Sequence, residues 1–147
     1  MSIIKKSSMK KILILVILTW FSLQATLAQS VMSIGESEFK SLIWDFEAEK
    51  AWKYKGNKPA IIDFYADWCA PCRALMPHLE SIQADYGRQL QVYKINTDKN
   101  PALTRLFSIR TIPTLIFVDP SGKKVEVKGA HNKKSLKDLI RRYFSLD

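Results

Sequence analysis

A compact apolar run, Ala60-Ile61-Ile62-Asp63-Phe64-Tyr65-Ala66, passes through two residues into Cys69-Ala70-Pro71-Cys72 and then into a stretch with helical spacing. A run this short and this apolar, introduced by the turn signal Gly56-Asn57-Lys58-Pro59, fits a central strand of a sheet covered by helices on both faces. From Cys72 to Tyr86 the apolar residues Leu75, Met76, Leu79, Ile82 and Tyr86 recur near 3.6 spacing, with Pro77 inside and Gly87 at the end. The pattern predicts a helix kinked at Pro77 and stopped at Gly87. A strand that hands over to a helix, with two cysteines at the junction, therefore organises the chain.

The chemistry follows from that placement. Cys69 falls at the start of the helix and Cys72 one turn later on the same face, which brings the two sulfurs within bonding range. Free backbone N–H groups and the helix dipole favour an anion at that end, so Cys69 is expected to have a depressed pKa and to act as nucleophile. Cys72, further inside, is expected to be more buried and to resolve the intermediate. Pro71 suits the first turn, where its missing N–H forfeits no intrahelical bond. These are the only two cysteines in the chain. A bridge across two intervening residues restrains the unfolded chain too little to serve stability alone. Zinc wants four ligands, and His78 and His131 are the only further candidates besides carboxylates, so no metal is expected.

Elsewhere, residues 29–38 read as a loose N-terminal segment, and from Phe39 to Tyr54 periodicity does not separate helix from strand. Leu90 to Ile95 and Thr114 to Val118 read as strands, with Pro101 to Phe107 as a short helix between them. Asp119-Pro120-Ser121-Gly122 is a turn, and Lys124 to Lys128 is the second arm of a hairpin. A terminal helix places Leu136, Leu139, Ile140, Tyr143 and Phe144 on one face and Lys133, Lys134, Lys137, Arg141 and Arg142 on the other, a solvated face. The alternation of strands and helices predicts an α/β layer fold.

The first 28 residues follow a different grammar. Lys5, Lys6, Lys10 and Lys11 precede the twelve-residue apolar run Ile12 to Leu23, and small and polar residues lead to Thr26-Leu27-Ala28 before Gln29. This is the order of an export signal, with cleavage expected after Ala28. The run is shorter than the roughly 20 residues that span a bilayer, although a segment stretched to Ala28 would serve as an uncleaved anchor. Met9-Lys10-Lys11 would also make a compact signal start. The signal also carries much of the charge: the whole chain is +9, and without its four lysines 19 bases face 14 acids, or +5. That excess is mild and scattered, and it argues against nucleic acid as a partner.

Several separated elements fall in the order of one family. They are Ile62-Asp63-Phe64-Tyr65-Ala66-Asp67-Trp68-Cys69-Ala70-Pro71-Cys72, Pro77, Lys94-Ile95-Asn96-Thr97-Asp98, Ile109-Arg110-Thr111-Ile112-Pro113-Thr114 and Gly129-Ala130. The chain resembles the thioredoxin family, and with an export signal in front it resembles the periplasmic thioredoxins of bacteria. The resemblance implies a thioredoxin fold over residues 39–147, with a central mixed sheet of four to five strands flanked by helices on both faces. It also implies a strand near Ser41 to Phe46 and a short helix to about Lys55.

Residue by residue, the resemblance implies that Asp63 is a buried carboxylate beneath the disulfide, able to take a proton from Cys72, and that Lys94 is its neighbour. It implies a cis peptide before Pro113, with Ile112 offering its backbone to an extended substrate. Trp68, Ala70, Pro71, Ile112, Pro113, Gly129 and Ala130 would form the docking surface. Ala70 replaces the glycine usual in the family, which bears on redox potential, while Thr111 and Lys128 bear on substrate choice. The expected activity is reduction of protein disulfides in exported proteins, by a monomer, without a diffusible cofactor and with a membrane electron-relay protein as donor. The alternatives are an oxidant or isomerase of folding proteins and a non-catalytic holdase.

Overall fold

The computed structural model describes residues 29–147. The signal expected over residues 1–28 lies outside the described residues. One five-stranded mixed sheet organises the chain, in the order β1 (Met32–Ser33), β3 (Gln91–Asn96), β2 (Ala60–Tyr65), β4 (Thr114–Val118) and β5 (Lys124–Lys128). β3 lies parallel to both β1 and β2, whereas β4 runs antiparallel to β2 and β5 antiparallel to β4. The helices are α1 (Glu36–Leu42), α2 (Ala70–Tyr86), α3 (Pro101–Leu106) and α4 (Lys133–Phe144). This is the thioredoxin fold.

β2 sits in the middle of the sheet, and all of its residues except Tyr65 are buried. Strand alternation divides its side chains between two cores. Ile62 and Phe64 join Phe39, Ile43, Tyr93, Ile95 and Leu103 on one side. Ile61 joins Leu75, Leu79 and Ile82 of α2 and Leu136 and Ile140 of α4 on the other. Each fully buried Leu, Ile or Phe contributes about 1.5–3 kcal/mol relative to exposure, so β2 is gripped from both faces.

α2 runs through Pro77 and ends at Gly87, whose φ of +51° is a conformation that favours glycine. The predicted hairpin β4–β5 and the predicted terminal helix are also present.

Two expectations are overturned. Residues 29–38 are not loose: Met32 and Ser33 stand in register with Tyr93 and Lys94, Ile34 N–H donates to the Lys94 carbonyl at 3.0 Å, and α1 starts at Glu36. A two-residue edge strand with both side chains exposed has no apolar alternation to reveal it; the open edge of β3 recruits it through backbone bonds. The strand expected near Ser41 to Phe46, and the helix to about Lys55, are likewise absent. α1 occupies Glu36–Leu42 and closes where Ile43 and Trp44 N–H both donate to the Phe39 carbonyl. A turn follows, in which Asp45 Oδ1 accepts from Glu47 and Ala48 N–H. The segment beyond it is held by aromatic packing: Trp52 meets Trp44 and Phe107 edge-on and stacks with Tyr54. Its indole donates to the Gly122 carbonyl at 2.6 Å.

Among the described residues no helix is long and apolar enough to cross a membrane.

Candidate functional site

β2 ends at Tyr65, and the chain turns through Ala66 to Trp68 before α2 begins. The turn is fixed by Cys69 N–H donating to the Ala66 carbonyl at 3.2 Å. Cys69 is the N-cap residue of α2: its backbone is extended and its Sγ accepts from Cys72 N–H at 3.3 Å. The sulfur therefore sits where an unpaired helix N–H points, and such a site favours the thiolate. Cys69 and Cys72 form a disulfide, with Cα atoms 5.3 Å apart. Both are buried, Cys69 at 4% exposure and Cys72 at 1%, so their order is the expected one but the gap is narrow. Ala70 and Pro71, between them, are exposed.

The loop before β4 closes over the disulfide. The Ile112–Pro113 peptide is cis, as the resemblance implied, and Cys69 Sγ lies 3.9 Å from the Ile112 carbonyl oxygen. Ile112 packs on the cluster formed by Ala66, Cys69 and Cys72. The Pro113 carbonyl accepts from Gly129 N–H at 2.9 Å, which ties the loop after β5 to the loop before β4. Gly129 has φ of +88°, and a side chain there would strain the backbone. Gly129 and Ala130 are exposed beside it. Trp68 is 69% exposed on the other side, its ring held by a hydrogen bond from Nε1 to Asp98 Oδ2. Of the seven residues expected at a docking surface, Trp68 precedes Cys69, Ala70 and Pro71 lie between the cysteines, Ile112 packs on them, and Gly129, followed by Ala130, is bonded to Pro113.

Asp63 is fully buried on β2, and neither carboxylate oxygen has a hydrogen-bond partner in the protein. Loss of hydration pushes its pKa up to about 7, and the positive charge of Lys94 works against that rise. Lys94 is its register partner on β3. The Lys94 ammonium does not bond to Asp63 but lies 5.5 Å from the centre of the Tyr65 ring.

His131 serves the loop: Nε2 approaches the Lys128 carbonyl at 3.2 Å and Nδ1 the Ser135 hydroxyl at 3.1 Å. Among the described residues no group of three or more His, Cys, Asp or Glu stands together as a metal site.

Two residues at the site have no role in the sequence reading. Tyr65 was legible in principle, because strand alternation puts it on the same face as Asp63. Asp98 was not, because nothing in its spacing from Trp68 predicts a hydrogen bond across two loops.

Comparison with known proteins agrees with this geometry. The thioredoxin family profile matches residues 34–142. A thioredoxin of Borreliella burgdorferi is 32% identical over 113 residues, covering 77% of this chain and 97% of the relative. A thioredoxin of Porphyra purpurea is 41% identical over 117 residues, covering 79% and 99%. The crystal structure of chloroplastic thioredoxin z superposes with a TM-score of 0.66 over 77% of this chain and 93% of its own, at 22% identity, a likeness of fold.

Proposed function

Because the chain belongs to the thioredoxin family and is a thiol-disulfide oxidoreductase built on the Cys69–Cys72 pair, we propose that it works after export as a reductase of protein disulfides. The observation that carries the reading is the position of Cys69 at the N-cap of α2, 3.9 Å from the backbone of the loop that would receive an extended substrate. In the reduced protein the Cys69 thiolate attacks one sulfur of a substrate disulfide, the substrate S–S bond breaks, and the departing sulfur takes up a proton. Cys72 then gives its proton to the Asp63 carboxylate and attacks Cys69 Sγ. The second substrate sulfur leaves as a thiolate and is protonated in turn. Two electrons have passed to the substrate and the Cys69–Cys72 bridge has formed.

Asp63 suits the base role because a carboxyl with a pKa of about 7 can both accept and return a proton near neutral pH. Ile112 offers its carbonyl to the substrate strand, while Trp68, Ala70, Pro71, Pro113, Gly129 and Ala130 supply the surrounding contacts. Lys94 tempers the charge on Asp63. No diffusible cofactor takes part, since the disulfide is itself the electron carrier.

Export is supported by the composition of residues 1–28, which would place the protein in a bacterial periplasm with disulfide-bearing exported proteins as substrates. That compartment lacks a nicotinamide pool, so a membrane electron-relay protein is the fitting donor. The proposed chemistry needs one dithiol and one docking face, so a monomer suffices for it.

The test is reduction of insulin disulfides by dithiothreitol. The protein accelerates it, Cys69→Ser abolishes the acceleration, and Cys72→Ser accumulates mixed disulfides. Normal turnover by Cys72→Ser with a Cys69 that resists alkylation would reverse the two roles. The direction is decided by equilibrium with glutathione: a potential near about −270 mV fits a reductase, and one near about −120 mV an oxidant.

A further inference from the structure

Asp63, Tyr65 and Lys94 share one side of the sheet. Asp63 and Tyr65 are two residues apart on β2, and Lys94 faces Asp63 across the β2–β3 ladder. The Lys94 side chain leans along the strand to Tyr65, where its ammonium stands 5.5 Å from the ring centre, within the range of a cation–π attraction. Tyr65 is well placed to hold it. Its carbonyl accepts from Thr97 N–H at 2.8 Å and from Thr97 Oγ1 at 3.2 Å, which anchors the end of β2. Its side chain packs on the cluster of Ala66, Cys69 and Cys72.

Asp63, meanwhile, has a charged neighbour but no bond to it. Leu115 is its register partner on β4, and the side chains that α2 buries are Cys72, Leu75, Leu79, Ile82, Gln83 and Tyr86, none of them a carboxylate, lysine, arginine or histidine. Cys69 and Cys72 are joined in the disulfide, and Lys133 and Lys137 of α4 pair with Asp85. Lys94 is thus the charge that acts on Asp63, and the distance between them depends on what else Lys94 can hold.

We propose that Tyr65 is a positioning residue for the resolving step: its ring draws the Lys94 ammonium into a cation–π contact and away from Asp63, and so governs how readily Asp63 takes the Cys72 proton. The inference rests on the reading of Asp63 as the base for Cys72. An ammonium released from the ring moves toward the carboxylate and favours its ionised form. For scale, at an effective dielectric of about 20 a unit charge brought from about 6 Å to about 4 Å of any carboxylate lowers its pKa by about one unit.

The test titrates Asp63 in the full oxidised chain by carboxyl-carbon NMR and, in the reduced chain, follows the pH dependence of single-turnover release of the second substrate thiol. Tyr65→Phe keeps an aromatic face and leaves both midpoints near those of the wild type. Tyr65→Leu lowers both by about one pH unit. Increasingly fluorinated phenylalanines at position 65 keep the shape of the ring while draining charge from its face, so folding is spared. They lower the midpoints stepwise, and the Lys94→Met background removes the dependence. An Asp63 midpoint indifferent to fluorination, or one that shifts equally without Lys94, overturns the proposal and leaves the base role of Asp63 standing. An Asp63 midpoint that moves while the release profile does not overturns the resolving-step role of Tyr65 together with that of Asp63 as base.

Discussion

The Trp68 indole Nε1 donates a 2.9 Å hydrogen bond to Asp98 Oδ2, joining the turn before α2 to the turn after β3. The ring is exposed, so this bond rather than burial orients the apolar surface proposed to meet a substrate beside Cys69. Asp98→Ala should loosen the ring and raise KM for insulin by about fivefold, the equivalent of about 1 kcal/mol, with kcat held. Steady-state kinetics checks it. A fall in kcat at constant KM would place Trp68 in the chemistry rather than in docking.

Asp63 makes stability depend on pH. A carboxyl whose pKa is about 7 in the folded chain, against an ordinary 3.8, binds more protons folded than unfolded between those values. Stability is therefore full below about pH 4 and falls as pH rises through the folded-state pKa, by about 4 kcal/mol in all. Asp63→Asn removes this slope. Urea unfolding of the oxidised proteins at pH 4 and pH 8 should show the variant gaining about 3–4 kcal/mol on the wild type between the two. A wild type that gains stability over that interval would mean an ionised, paired Asp63.

Gln83 carries a buried network between α2 and the start of β3. Its Oε1 accepts from Val92 N–H at 2.7 Å and its Nε2 donates to the Leu90 and Gly87 carbonyls at 3.0 and 3.1 Å. Gln83→Leu keeps the volume and orphans those backbone groups, at a cost of about 2–4 kcal/mol in denaturant unfolding. A cost near zero would show that the backbone finds other partners.

Asn132 caps α4 through Oδ1, which accepts from Ser135 N–H at 2.9 Å. Asn132→Ala should cost about 1 kcal/mol, whereas Asn132→Ser should recover most of it. Thermal unfolding of the two variants side by side decides the matter.

The parts of the site that were legible in the sequence are those whose physics is local. Cys69 at a helix start, Pro71 in the first turn and Gly87 at the stop are each set by a few neighbouring backbone bonds. The burial of Asp63, implied by the family resemblance, follows physically from its place in a central strand, which leaves a side chain nowhere else to go. The cis peptide at Pro113 and the neighbourhood of Lys94 were reached only through family resemblance, since no local rule distinguishes that proline from the other five in the chain.

By itself, then, the sequence determined the α/β layering, the central strand and its handover to the cysteine helix, and the order of the two sulfurs, because hydrophobic period and capping act within a turn or two of chain. Only the tertiary structure decided that Met32 and Ser33 join the sheet and that the chain after Leu42 leaves helix for an aromatic-packed connection. It alone set Trp68 against Asp98 and turned Lys94 toward Tyr65. Each of these depends on the free edge, cavity or charge that a distant segment presents, and such partners exist only once the sheet has formed.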